Sequence, residues 1–143
     1  MRSSRVVVDS CVWIGAVVPT EIEHFTCRAL IDRVQRGKHR VVIPVPILTE
    51  VVCRLSARFR GMGKNPRDAV TVGKGMLELL NVDWLPVDEA FCVGAAELGV
   101  RHGLRGMDAL IANAALKHRC ELITNDRDLL DSSLAEVVRV RRP

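Results

Sequence analysis

Five short apolar runs, separated by stretches with helical periodicity, constrain this chain most. They are Val6-Val7-Val8 closing on Asp9, Arg40-Val41-Val42-Ile43, residues 81–85, Glu121-Leu122-Ile123-Thr124, and residues 137–140. Runs this short, with little polar alternation and many β-branched residues, belong to strands buried on both faces. Between them the spacing predicts helices over residues 11–17, stopped by Pro19, and over 21–36, with Ile22, Phe25, Ala29, Leu30 and Val34 as the apolar stripe and Gly37 as the stop. Pro46 suits the first position of a third helix running through Glu50, Val51, Leu55 and Phe59. A fourth is expected over about 66–80, weakened by Gly73 and Gly75. A fifth, capped by Asp88, reaches about His102, and a sixth opens at Asp108 and ends at Lys117 or His118. Strands alternating with helices build βαβ units. The expected fold is a three-layer α/β/α sandwich around a central, mostly parallel five-stranded sheet, with residues 1–143 as one domain.

In such sheets ligands bind outside the carboxyl ends of the strands. Four acidic residues fall at that edge. Asp9 closes the first strand, and Asp126 follows the fourth. Glu50 lies about one helical turn beyond the second, and Asp108 opens a helix whose amino end points the same way. Carboxylates gathered within roughly 4–6 Å repel one another unless a cation neutralises them. Mg²⁺ or Mn²⁺ is expected, because hard divalent ions prefer oxygen ligands. Such ions lower the pKa of a coordinated water and offset charge on a phosphoryl transition state, so the set points to phosphodiester hydrolysis without a His base or a Ser nucleophile.

Each acid also has a plainer reading. Asp108 could simply cap its helix, Asp126 could serve the Asn125-Asp126 turn, and Glu50 could be a solvated helix residue. Asp9 resists this, since an Asp directly after three valines needs a partner or a cation. Singly, the plain reading wins for three of the four, and their common edge reverses that.

Composition narrows the alternatives. Aromatic residues are only 3% and Tyr is absent, which argues against binding nucleic acid by base stacking. The net charge of +4 permits a phosphate-backbone or acidic protein partner without requiring one. Arg outnumbers Lys 17 to 4, which suits phosphate recognition, although genome base composition produces the same bias. The five cysteines form no C-x-x-C pair, as expected in a reducing compartment. His24, His39, His102 and His118 lack zinc spacing, and neither Gly61-x-Gly63-Lys64-Asn65 nor Gly73-Lys74-Gly75 completes a phosphate loop. Met1-Arg2-Ser3-Ser4-Arg5 and the apolar run after it imitate a secretory leader, but Asp9 interrupts the run and no small-x-small site follows. No stretch reaches the roughly 20 apolar residues of a membrane span. A soluble, cytoplasmic protein is expected.

Four blocks together resemble the PIN-domain nucleases, and among them the VapC-type toxins of bacterial toxin–antitoxin pairs. They are Val7-Val8-Asp9-Ser10-Cys11-Val12-Trp13, Leu48-Thr49-Glu50-Val51, Gly106-Met107-Asp108-Ala109-Leu110-Ile111-Ala112 and Leu122-Ile123-Thr124-Asn125-Asp126-Arg127-Asp128-Leu129. The resemblance is collinear and spans nearly the whole chain. It implies a Mg²⁺- or Mn²⁺-dependent endoribonuclease that forms a homodimer and is inhibited by a small antitoxin. Asp9, Glu50, Asp108 and Asp126 would be its acidic, metal-binding catalytic set, with Ser10 and Thr124 as supporting hydroxyls. Asn125 has no implied role, and Asp128 is expected outside the pocket. Lys64, Arg67 and Arg105, with the Arg-rich tail, would meet the RNA backbone. The alternatives are a housekeeping RNA-processing nuclease of the same fold, a catalytically quiet binding module, and a receiver domain. The last lacks an acidic pair after the first strand and an Asp after the third.

Overall fold

The structure, a computed structural model, describes residues 3–143. Met1 and Arg2, which begin the leader-like stretch, lie outside the described residues. The elements run β1 (Ser4–Val8), α1 (Ser10–Val17), α2 (His24–Gln35), β2 (His39–Pro44), α3 (Pro46–Gly61), α4 (Asp68–Leu77), β3 (Val82–Leu85), α5 (Glu89–His102), α6 (Gly106–His118), β4 (Glu121–Ile123), α7 (Arg127–Leu130), a 3₁₀ turn (Ser133–Glu136) and β5 (Val140–Arg141).

The five strands stand in the order β3-β2-β1-β4-β5, and every pairing is parallel. Successive crossovers β1→β2→β3 step one way across the sheet, and β3→β4→β5 step the other. With right-handed crossovers, α1 to α4 therefore cover one face and α5 to α7 the other. The direction reverses between β1 and β4, so the crevice of a doubly wound sheet opens there. Val6, Val7, Val8, Val41, Val42, Ile43, Leu122 and Ile123 form the buried middle layer, which is why those runs carry no polar alternation.

Local chemistry explains the boundaries. Pro46 opens α3, where its missing N–H costs nothing. The Asp88 carboxylate accepts from Phe91 N–H at 2.8 Å and caps α5. Gly73 does not merely loosen α4: a Cβ there would lie 2.5 Å from Val52 Cγ2, so the glycine lets α4 lie against α3.

Three expectations need correction. Helix α2 begins at His24, with Cys27, Leu30, Ile31 and Val34 as its buried stripe, while Ile22 and Phe25 are 95% and 84% exposed. Helix α6 begins at Gly106, two residues before Asp108. The last strand is only Val140–Arg141, because residues 133–136 coil into the 3₁₀ turn that buries Leu134. Among the described residues the five cysteines are all free, and no helix is long and apolar enough to cross a membrane.

Candidate active site

Asp9, Glu50, Asp108 and Asp126 come from four separate elements and line one cavity of about 1010 Å³. Asp9 sits just past β1, whose ladder continues through the Asp9 N–H to the Ile123 carbonyl at 3.0 Å. Asp126 follows β4, so these two flank the strand pair where the chain direction reverses. Glu50 projects from the first turns of α3, and Asp108 from the first turn of α6.

Asp9 is 4% exposed, and four donors hold its carboxylate. Oδ1 accepts from Ser10 N–H at 2.6 Å and from Ser10 Oγ at 3.3 Å. Oδ2 accepts from Thr124 Oγ1 at 2.7 Å and from the Cys11 thiol at 3.3 Å. Thr124 Oγ1 in turn accepts from Asp126 N–H at 2.9 Å, so one buried hydroxyl ties both acids together. This answers the need of an Asp after three valines: its charge is solvated by fixed donors. The plain readings also hold in part, since Asp9 caps α1 and Asp126 caps α7 by accepting from Asp128 N–H at 2.9 Å. Capping and lining the cavity are compatible. Asp108 is not a cap; it occupies the first turn, where the helix dipole favours a carboxylate.

The Asp108 carboxyl is pushed up from 3.8 to about 6. Burial is the largest cause, followed by repulsion from Asp9 and Asp126; Arg105 opposes the rise and Glu50 adds to it. The Cys11 thiol is driven up to about 12 by burial and by Asp9, which keeps it protonated as the donor to Asp9 Oδ2.

The donors facing the cavity fit a hard cation. They are the carboxylates of Asp9, Glu50, Asp108 and Asp126 with the Ser10 hydroxyl and the Asn125 amide; the thiols of Cys11 and Cys92 also line the cavity, and no imidazole does. Among the described residues no three His, Cys, Asp or Glu side chains close up into a full ligand cluster.

Arg54 is a cavity residue that the sequence did not single out. It lies one turn after Glu50, donates from Nη1 to Ser10 Oγ at 3.1 Å and stands 4.0 Å from Glu50. The i,i+4 spacing from Glu50 was the available signal. Arg105 lines the same cavity, 3.8 Å from Asp108 and 3.9 Å from Asp126, and donates to Asp128 at 3.1 Å. Asp128 itself does not line it. Lys64 and Arg67 are not brought to this cavity either: Lys64 rests 6.0 Å from the Phe59 ring centroid, and Arg67 lines a separate hollow with Val52, Arg60 and Val70.

Solved structures share this fold. The chain is similar to VapC20 of Mycobacterium tuberculosis, a Sarcin-Ricin loop cleaving toxin, with 20% identity over 81% of this chain and 85% of that one, at a TM-score of 0.67. It is also similar to VapBC2 of Rickettsia felis, solved bound to a promoter DNA fragment, with 12% identity over 96% and 98% and a TM-score of 0.66. VapBC-1 of nontypeable Haemophilus influenzae matches with 16% identity over 96% and 97%, at a TM-score of 0.61. No curated protein matches at the sequence level. The PIN domain family model matches residues 6–133, which runs from within β1 to the start of the 3₁₀ turn and takes in all four acids, and the chain therefore belongs to the PIN domain family.

Proposed function

We propose that this protein is a Mg²⁺- or Mn²⁺-dependent endoribonuclease that acts as the toxin of a toxin–antitoxin pair. One observation carries the reading: four carboxylates from distant parts of the sequence line one cavity at the reversal point of a parallel sheet. Asp9 and Asp108 would hold the principal cation, and Asp126 and Glu50 a second cation or its waters. When bound, the cation would lower the pKa of a water and neutralise charge gathering on the phosphate.

The chain's own side chains prepare that site. Ser10 and Thr124 orient Asp9, and Thr124 also fixes the backbone entering Asp126. Arg54 sits at the cavity wall with an exposed guanidinium, well placed to meet phosphate oxygens as a planar fork. Lys64 and Arg67, outside the cavity, would meet the RNA backbone farther from the scissile bond.

Kinship in fold with VapC and VapBC structures supports the toxin role and a small cognate antitoxin as partner. A homodimer working in the cytoplasm, with residues 1–143 as one domain, completes the proposal. Purified protein assayed on RNA with and without Mg²⁺ or Mn²⁺, beside Asp9→Asn, tests the chemistry. Cleavage should require the cation and vanish in the variant; equal cleavage by both proteins would sink it. A small reading frame immediately upstream, encoding a DNA-binding half and a disordered tail, would separate the toxin from a housekeeping nuclease.

A further inference from the structure

Among the described residues, Arg105 is the one cation within 4 Å of three carboxylates. Its backbone is fixed: the carbonyl accepts from Ala109 N–H at 2.8 Å at the start of α6, immediately after the left-handed turn at Gly103. Its side chain is 75% exposed. The guanidinium faces two ways. Inward it stands 3.8 Å from Asp108 and 3.9 Å from Asp126, both beyond hydrogen-bond length. Outward it donates to Asp128 at 3.1 Å. Arg105 and Asp108 line both the acidic cavity and a second hollow of about 410 Å³ that Asp128 and Asp131 share. The guanidinium thus stands at the partition between the two.

We infer that Arg105 is a displaceable counter-cation, and that Asp128 is the outer post to which it retires when a divalent ion enters. This deepens the proposed function and rests on it. The physical reason is charge balance. Without an ion, the charge of Asp108 and Asp126 is offset in part by Arg105, whose guanidinium stands within 4 Å of both. An incoming cation seeks the oxygens of Asp108 and Asp126 and repels the guanidinium from the same space. A hydrogen bond to Asp128 already exists, so the displaced side chain keeps a partner and loses little on moving outward. At the partition it then faces whatever phosphate approaches along either hollow. Arg105 is a positioning residue on this account, and Asp128 acts only through it.

The test is a double-mutant cycle read by Mn²⁺ calorimetry on the intact chain, with thermal unfolding as the check on folding. Arg105→Met, which keeps the length and removes the charge, should bind Mn²⁺ about tenfold tighter. Asp128→Asn, which strands the displaced guanidinium, should bind about threefold weaker than the parent. In the Arg105→Met background the same Asp128 change should leave Mn²⁺ affinity nearly untouched. Should the methionine variant fail to fold, Arg105→Gln serves in the same cycle. Unchanged or weaker Mn²⁺ binding on loss of Arg105 would overturn the inference. So would an Asp128 effect of equal size with and without Arg105, which would reveal only a diffuse field. A parent protein that takes up no Mn²⁺ would instead bring down the metal-dependent reading itself.

Discussion

Asp108→Asn should make the metal-free protein more stable while destroying its proposed activity. Moving a carboxyl midpoint from 3.8 to about 6 corresponds to roughly 3 kcal/mol at neutral pH for a group sealed from water. Asp108 lines an open cavity, so solvent screens part of that cost, and about 1–2 kcal/mol is the expected gain. For a chain of 143 residues this is a rise in Tm of roughly 3–6 °C. The sign follows from proton linkage. The folded state holds this proton more tightly than the unfolded chain, so the penalty is absent below about pH 3.8, grows as pH rises toward 6 and is full above it. Thermal unfolding by circular dichroism in EDTA, at pH 7.5 and at pH 3.5, gives the comparison. The variant should lead at pH 7.5 and match the parent at pH 3.5. Added Mn²⁺ should then raise the Tm of the parent and leave the variant where it was. A variant less stable than the parent in EDTA at pH 7.5 would refute the electrostatic reasoning.

Further outcomes follow from single side chains. Gly73→Ala should destabilise by about 1–3 kcal/mol, because its Cβ would meet Val52 Cγ2 at 2.5 Å, whereas Gly75→Ala faces open space and should stabilise by about 0.5–1 kcal/mol; chemical denaturation of the pair separates packing from helix propensity. Arg119 holds a left-handed φ of 51° at the end of α6, so Arg119→Gly should raise stability by about 1 kcal/mol in the same assay. Brief alkylation at pH 8 should label the exposed Cys53 and Cys92, while Cys11 and Cys120, pushed up to about 12 and about 11, should resist until the protein unfolds; peptide mapping reads the difference.

The parts of the fold legible in the sequence were those whose local signal and tertiary role agree. Val6-Val7-Val8 is apolar throughout because both sheet faces are covered, and Pro46 and Asp88 mark helix starts through backbone chemistry that needs no distant partner. The phase of α2 was not legible. Phe25 and Ile22 attract attention as large apolar residues, yet the buried stripe starts from Cys27, a smaller residue that packs against Gly15 with no room for a Cβ between them. The 3₁₀ turn was hidden for a similar reason: only the burial of Leu134 decides against an early strand.

The site divides along the same line. Strand ends and helix starts place the four acids, so their common edge can be read from the chain. Their support cannot. Thr124 reaches Asp9 across 115 positions of sequence, a contact that exists only once β1 and β4 lie side by side, and Arg105 meets Asp128 across 23 where α6 and α7 begin. Arg54 lay within reach of sequence reasoning, one helical turn from Glu50, but its bond to Ser10 spans 44 positions.

The central claim is that these carboxylates form a divalent-cation site. An anomalous difference map from a crystal soaked in Mn²⁺ tests it most directly. A peak should appear in the acidic cavity at about 2.1–2.2 Å from a carboxylate oxygen of Asp9 and from one of Asp108, the range for hard divalent ions on oxygen. Density for the Arg105 guanidinium should have withdrawn toward Asp128. A soaked crystal with no anomalous peak in that cavity, or with its manganese held only by surface residues elsewhere, would contradict the account.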